Sequence, residues 1–129
     1  MFKHFFGPVM AFSHGLSDWL TLNINREWID KNISWKDFGT GVKLGKLARE
    51  GSTSLVLYDC ACEVEVDAFM PHMHPGGEAY LVLEGEVYDE EGRYPKGSIV
   101  WMKPGSEHTP KTRENTLILV LWPDGVKTI

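Results

Sequence analysis

The segment Pro71-His72-Met73-His74-Pro75-Gly76-Gly77-Glu78 decides how this chain is read. His72 and His74 are two residues apart, so on an extended strand both imidazoles project to one side. Neutral imidazole is the commonest side-chain ligand for first-row transition metals. Pro75-Gly76-Gly77 is a turn, and Glu78 opens the next strand, from which its carboxylate can turn to the same point. A third imidazole would complete a site, and His108 follows the turn Lys103-Pro104-Gly105-Ser106-Glu107.

Upstream of this segment, Cys60, Cys62, Val64, Val66 and Ala68 alternate with Ala61, Glu63, Glu65 and Asp67. The pattern predicts a strand with one buried and one wet face, and its phase carries His72 and His74 toward the interior. The acids are then simply the solvated face. Cys60 and Cys62 read as small buried apolar residues; a redox or metal pair lacks the usual two-residue spacer. Further strands are expected at Val42–Ala48, whose alternation is imperfect, and at Thr53–Tyr58, Glu78–Glu86, Ser98–Met102 and Leu117–Trp122. Gly, Pro and Asp punctuate them every ten residues or so, at Phe38–Gly41, Glu50–Ser52, Asp89–Gly92, Tyr94–Gly97, Pro104-Gly105 and Pro123–Gly125. Such spacing predicts an all-β sandwich or barrel.

Residues 1–32 are aromatic-rich and without sustained periodicity. A short helix is expected at Trp19–Leu22, capped by Ser17-Asp18, and a turn at Asp30-Lys31-Asn32. The β domain is expected over residues 33–129. Ala79–Leu83 and Leu117–Trp122 are apolar on both faces, so something must cover the outer side of the sheet. The tryptophan-bearing N-terminal segment and a second subunit are the candidates, and a homodimer is expected.

With 129 residues, 43% apolar and 24% charged, the chain has the proportions of one globular domain. No apolar run approaches the roughly 20 residues of a membrane span. A net charge of −5 without a basic tail argues against nucleic-acid binding. The N-terminus lacks a small-x-small cleavage site and carries Gly7-Pro8 inside its apolar stretch. A retained segment and a cytoplasmic location are expected.

The spacing His72-x-His74-x3-Glu78-x6-Gly85 resembles the first motif of the cupins, and Gly97-x7-Gly105-x2-His108 resembles much of their second. The order His-Pro-Gly-Gly-Glu, Leu-Val-Leu-Glu-Gly-Glu, the Asp-Glu-x-Gly turn, Tyr-Pro-x-Gly and Pro-Gly-Ser-x-His, from His74 to His108, narrows the likeness to ChrR-like cupins. The resemblance implies a double-stranded β-helix, or jelly-roll barrel. It also implies one divalent metal held by His72, His74, Glu78 and His108. Departures exist: Val66 stands where the family carries a glycine, and Thr112 where it carries an asparagine. His4 and His14 lie outside the motifs.

Three imidazoles and a carboxylate leave an octahedral ion two open positions. Iron and zinc are the first candidates, manganese and nickel the next. The family includes dioxygenases of diketones and dihydroxyacetophenone, and the zinc-binding domain of anti-sigma factors. The anti-sigma role calls for a separate helical domain ahead of the β domain, and residues 1–50, read as irregular, are not expected to supply it. Two classes therefore stand: a small dioxygenase acting on a diketone or hydroxyketone, and a non-catalytic metal-binding or ligand-sensing module. Tyr80, Val82, Trp101, Met102 and Trp122 are expected to line the pocket for such a small molecule.

Overall fold

The computed structural model describes residues 21–39, 41–61 and 72–128. One helix, α1 (Arg26–Asn32), precedes twelve strands among them. In chain order these are β1 (Trp35–Gly39), β2 (Val42–Glu50), β3 (Thr53–Cys60), β4 (His72–His74), β5 (Glu78–Glu84), β6 (Glu86–Tyr88), β7 (Arg93–Pro95), β8 (Ile99–Met102), β9 (Ser106–His108), β10 (Lys111–Thr112), β11 (Thr116–Trp122) and β12 (Lys127–Thr128). A six-stranded sheet runs β1-β2-β3-β11-β5-β8. Two three-stranded sheets, β10-β6-β7 and β12-β4-β9, complete the fold, and every pairing is antiparallel. No helix among the described residues is long and apolar enough to cross a membrane.

Strand alternation divides the large sheet into two apolar sides. Val56, Tyr58 and Cys60 of β3, Tyr80 and Val82 of β5, and Ile118 and Val120 of β11 form the inner core with Val42 and with Val87 of β6. Leu57 and Leu117, with Leu55, Leu83 and Leu119 beside them, face the other way. That outer side is covered by the N-terminal segment: Ile29 and Ile33 are buried against it, and Trp28 and Trp35 pack alongside. Gly45 permits the close approach, since a Cβ there would come 2.6 Å from Ile33 Cγ2.

The covering helix lies where a turn was expected. Asp30-Lys31-Asn32 forms the last turn of α1, while Leu22 is outside any helix; residues 17–20 lie outside the described residues. Asn25 caps α1, its side chain accepting from Trp28 N at 2.9 Å. Arg26 ties the helix to the sheet through Asp59 at 3.0 Å and Glu84 at 3.3 Å.

Bulges explain two imperfect patterns. In β2 the pairing with β3 slips between Lys46 and Ala48, which shifts the buried phase from Val42 and Leu44 to Leu47 and Ala48. In β5 the slip opposite Leu117/Ile118 lets both Leu83 and Glu84 meet the α1 side. The single strand expected over Glu78–Glu86 is broken at Gly85, where a left-handed φ of 79° turns the chain from the large sheet into β6. The strand expected through residues 60–69 is described only as far as Cys60, buried at the end of β3, and Ala61. Cys62 lies outside the described residues.

Candidate metal centre

Antiparallel pairing of β4 with β9 places His72 directly opposite His108 and His74 opposite Ser106. Directly paired residues share a face, so His72 and His108 meet with their Nε2 atoms 3.0 Å apart. His74 joins them from the same strand as His72, its ring centroid 4.8 Å from each of the other two. Glu78 enters from β5 of the large sheet. Its Oε2 lies 2.9 Å from His74 Nε2 and 3.5 Å from His108 Nε2. One ligand-type atom from each of His72, His74, Glu78 and His108 falls within a 4.8 Å span.

These residues fit a divalent ion on chemical grounds. His74 Nε2 and Glu78 Oε2 are buried and, despite their 2.9 Å separation, make no hydrogen bond of acceptable direction. Two buried polar atoms left orphaned at one point would be costly, and an ion at that point satisfies both. Burial pushes the His108 imidazole below the ordinary histidine range, against the opposing pull of Glu78 and Asp89. A neutral ring is the form that coordinates.

Three further groups aim the ligands. Ser106 Oγ lies 3.1 Å from His74 Nδ1, and Asp89 Oδ2 lies 3.4 Å from His108 Nδ1. A proton on each Nδ1 leaves each Nε2 lone pair pointing inward. Trp122 Nε1 donates to Glu78 Oε1 at 3.0 Å, which leaves Oε2 for the site. Asp89 is itself held: its Oδ1 accepts from Glu91 N at 2.8 Å, Gly92 N at 3.2 Å and Tyr94 Oη at 3.2 Å. Asp89 and Ser106 stand inside the sequence motifs, but the sequence assigned neither a role at the centre. Asp89 lies 19 residues before His108 in a turn whose Asp-Glu-Glu-Gly composition explains itself.

Asp89→Asn should therefore weaken metal binding by about 10- to 100-fold, the usual cost of losing an outer partner. The amide oxygen can still accept from the turn's backbone N–H groups, so the fold should persist. Competition titration with a chromogenic chelator measures the change, and an unaltered affinity would refute the role.

Beside the cluster lies a small cavity of about 40 Å³ that opens to solvent. His72, Glu78 and His108 form one part of its wall, and Val87, Pro110, Ile118 and Val120 give it an apolar surface. Of the residues expected to line a pocket, Tyr80 and Trp122 do so. The other three lie elsewhere. Val82 is fully buried in the inner core, and Met102 packs against that core. Trp101 is 57% exposed, because its register opposite Ala79 turns it to the outer side of β8. Tyr58 and Thr112 line the cavity without having been expected there. Burial pushes the phenols of Tyr58 and Tyr80 above their ordinary range, and the Glu78 charge adds to both. Both remain protonated hydrogen-bond donors.

Antiparallel sheets enclosing a buried His3Glu cluster are the architecture of metal-binding cupins. The model of the ChrR Cupin-like domain matches residues 28–123, and the chain belongs to that family. Among solved structures, a Methylibium petroleiphilum protein proposed to be an acetylacetone dioxygenase superposes with a TM-score of 0.64 at 15% identity, covering 86% of this chain and 85% of that one. The Rhodobacter sphaeroides complex of SigE with the anti-sigma ChrR gives a TM-score of 0.60 at 25% identity, over 74% of this chain and 54% of the matched one. The polyketide cyclase RemF of Streptomyces resistomycificus gives 0.58 at 14%, over 85% and 86%. At 14% and 15% identity the likeness concerns the fold. No curated protein matches by sequence.

Proposed function

We propose that this protein is a single-domain, metal-dependent cupin enzyme of dioxygenase type, acting on a small diketone or hydroxyketone in the cytoplasm. The apolar cavity opening on the ligand cluster carries the reading. A module that only senses metal needs no such room, whereas an enzyme needs a concave, mostly apolar site with a few polar groups. His72, His74 and His108 would hold the ion through Nε2 and Glu78 through Oε2. When bound, iron(II) supplies a Lewis acid for a chelating substrate and the redox capacity that dioxygen chemistry requires, which zinc lacks. Val87, Pro110, Ile118 and Val120 keep water from the carbon skeleton of the substrate. Trp122 holds the Glu78 carboxylate in place.

Iron(II)-loaded protein should consume oxygen in proportion to an added 1,3-diketone or α-hydroxyketone and release a cleaved carboxylate. The zinc form should bind without consuming oxygen. The resemblance to the ChrR complex favours a second reading, a non-catalytic metal-binding or ligand-sensing module. No oxygen uptake across a panel of such substrates, in protein verified to hold iron(II), would select that reading. Zinc, manganese or nickel would then be acceptable occupants.

A homodimer is part of the same proposal. β8 is an edge strand, and its Ile99 and Trp101 are 77% and 57% exposed. A second copy covering this edge would bury both. Sedimentation should give twice the 14.6 kDa chain mass, and Trp101→Lys should shift it toward the monomer. A wild-type monomer at micromolar concentration would refute this.

A further inference from the structure

Two hydroxyls in the cavity wall stand without a hydrogen bond among the described residues. Tyr80 Oη and Thr112 Oγ1 are buried, and among the described residues neither has a hydrogen-bond partner. Their residues are 4% and 0% exposed, and both line the cavity beside the ligand cluster. A buried hydroxyl without a partner is destabilising, and phenylalanine and valine would fill the same spaces without that cost. The hydroxyls therefore point to a ligand that accepts from them.

Their placement shows which part of a ligand they would meet. His72, His74 and His108 belong to the β12-β4-β9 sheet. Thr112 belongs to the other small sheet, on β10, and is paired with Val87 of β6, which also lines the cavity. The Tyr80 ring packs against Tyr94 of β7 in that same sheet, with centroids 6.3 Å apart. The imidazoles thus belong to one small sheet, and the two hydroxyls are associated with the other. Ile118 and Val120 of β11 give the cavity they share an apolar surface.

We propose that Tyr80 and Thr112 are specificity-determining residues that donate hydrogen bonds to an oxygen acceptor on the substrate lying beyond the pair of oxygens offered to the metal. The substrate class is then a compact β-dicarbonyl compound with a third oxygen, carbonyl or carboxyl, joined to the chelating pair by a short apolar stem. This rests on the metal-dependent reading of His72, His74, Glu78 and His108. Neither hydroxyl would be a metal ligand or take part in bond cleavage; their effect is on binding and substrate choice.

The test uses zinc-loaded protein, in which binding is measured without turnover. The probes are 2,4-heptanedione and 2,4,6-heptanetrione, which share a carbon skeleton and differ in the third carbonyl. Calorimetry should show the trione binding the wild type at least about 10-fold tighter, the order expected from two neutral hydrogen bonds. Tyr80→Phe and Thr112→Val should each remove about 3- to 10-fold of that advantage, with metal content and the affinity for the dione unchanged. Equal affinity of the wild type for both probes would overturn the inference while leaving the dicarbonyl reading intact, and would mean that ordered water alone satisfies the hydroxyls. This comparison needs no variant, so it stands even if one fails to fold. Binding of neither probe to protein holding stoichiometric zinc would overturn the dicarbonyl reading together with the inference.

Discussion

His74→Ala should lower metal affinity by more than about 100-fold, beyond the range for removing an outer partner. His74 is 0% exposed, and its Nε2 is one of the two orphaned atoms that converge on the ion's position. Its removal leaves Glu78 Oε2 facing an empty space, with His108 Nε2 more distant at 3.5 Å. Elemental analysis of the purified variant should find it nearly metal-free. Stoichiometric metal would refute the assignment of the centre. Glu78→Gln should be nearly as damaging, for a reason invisible in the sequence. A glutamine has one amide oxygen to offer, and Trp122 Nε1 already claims one carboxylate oxygen at 3.0 Å. If the glutamine oxygen accepts from Trp122, its NH2 faces the ion; if it turns to the ion, the indole loses its acceptor.

The largest loss of stability is expected from Gly85→Ala. Gly85 has a φ of 79°, a conformation that costs a non-glycine residue about 1–3 kcal/mol. A Cβ there would also sit 2.7 Å from Thr116 Cα and would press on the Thr116 hydroxyl. That hydroxyl is committed, donating to Arg113 O at 2.7 Å and accepting from Glu86 N at 3.2 Å. Thr116 is completely buried, so neither side can give way without disturbing the crossing into β6. Overpacking adds about 1–3 kcal/mol. The sum, about 2–6 kcal/mol, is a large share of the roughly 5–15 kcal/mol that holds a domain together. The melting temperature should fall by about 10 °C or more. A change within about 2 °C would show that the crossing adapts.

The four candidate ligands were legible because strand alternation and two glycine-bearing turns leave them little freedom. His72 and His74 share a face by spacing, whereas the register that sets His72 opposite His108 comes from the long-range antiparallel pairing of β4 with β9 and not from a hairpin. The covered outer side was legible too, since β5 and β11 are apolar at every position that matters. The covering element was not. α1 is seven residues long, too short to form on its own, and its helical state depends on Ile29 and Trp28 meeting the sheet. Its local signal, Asn25 capping Trp28 N, is a single hydrogen bond, whereas Asp30-Lys31-Asn32 has the composition of a turn. Asp89 and Ser106 were hidden for another reason. Polar residues in turns and at strand ends need no special explanation, and only tertiary proximity shows which of them orient a ligand. Trp101 was misplaced by one step of the pleat, since a strand seen alone does not reveal which of its faces is inward.

The two sides of the large sheet also make the protein unusually easy to diversify. On β3, on β5 as far as Val82, and on β11 the even-numbered side chains face the inner side, and among them Tyr58, Tyr80, Ile118, Val120 and Trp122 line the cavity. The odd-numbered ones, among them Leu55, Leu57, Leu117 and Leu119, hold the N-terminal cover. Substitutions on opposite sides share a backbone but few side-chain contacts, so their effects should be close to additive. A lineage, or a combinatorial library, can explore new ligands at the even positions while the odd positions keep their own separate history of compensation.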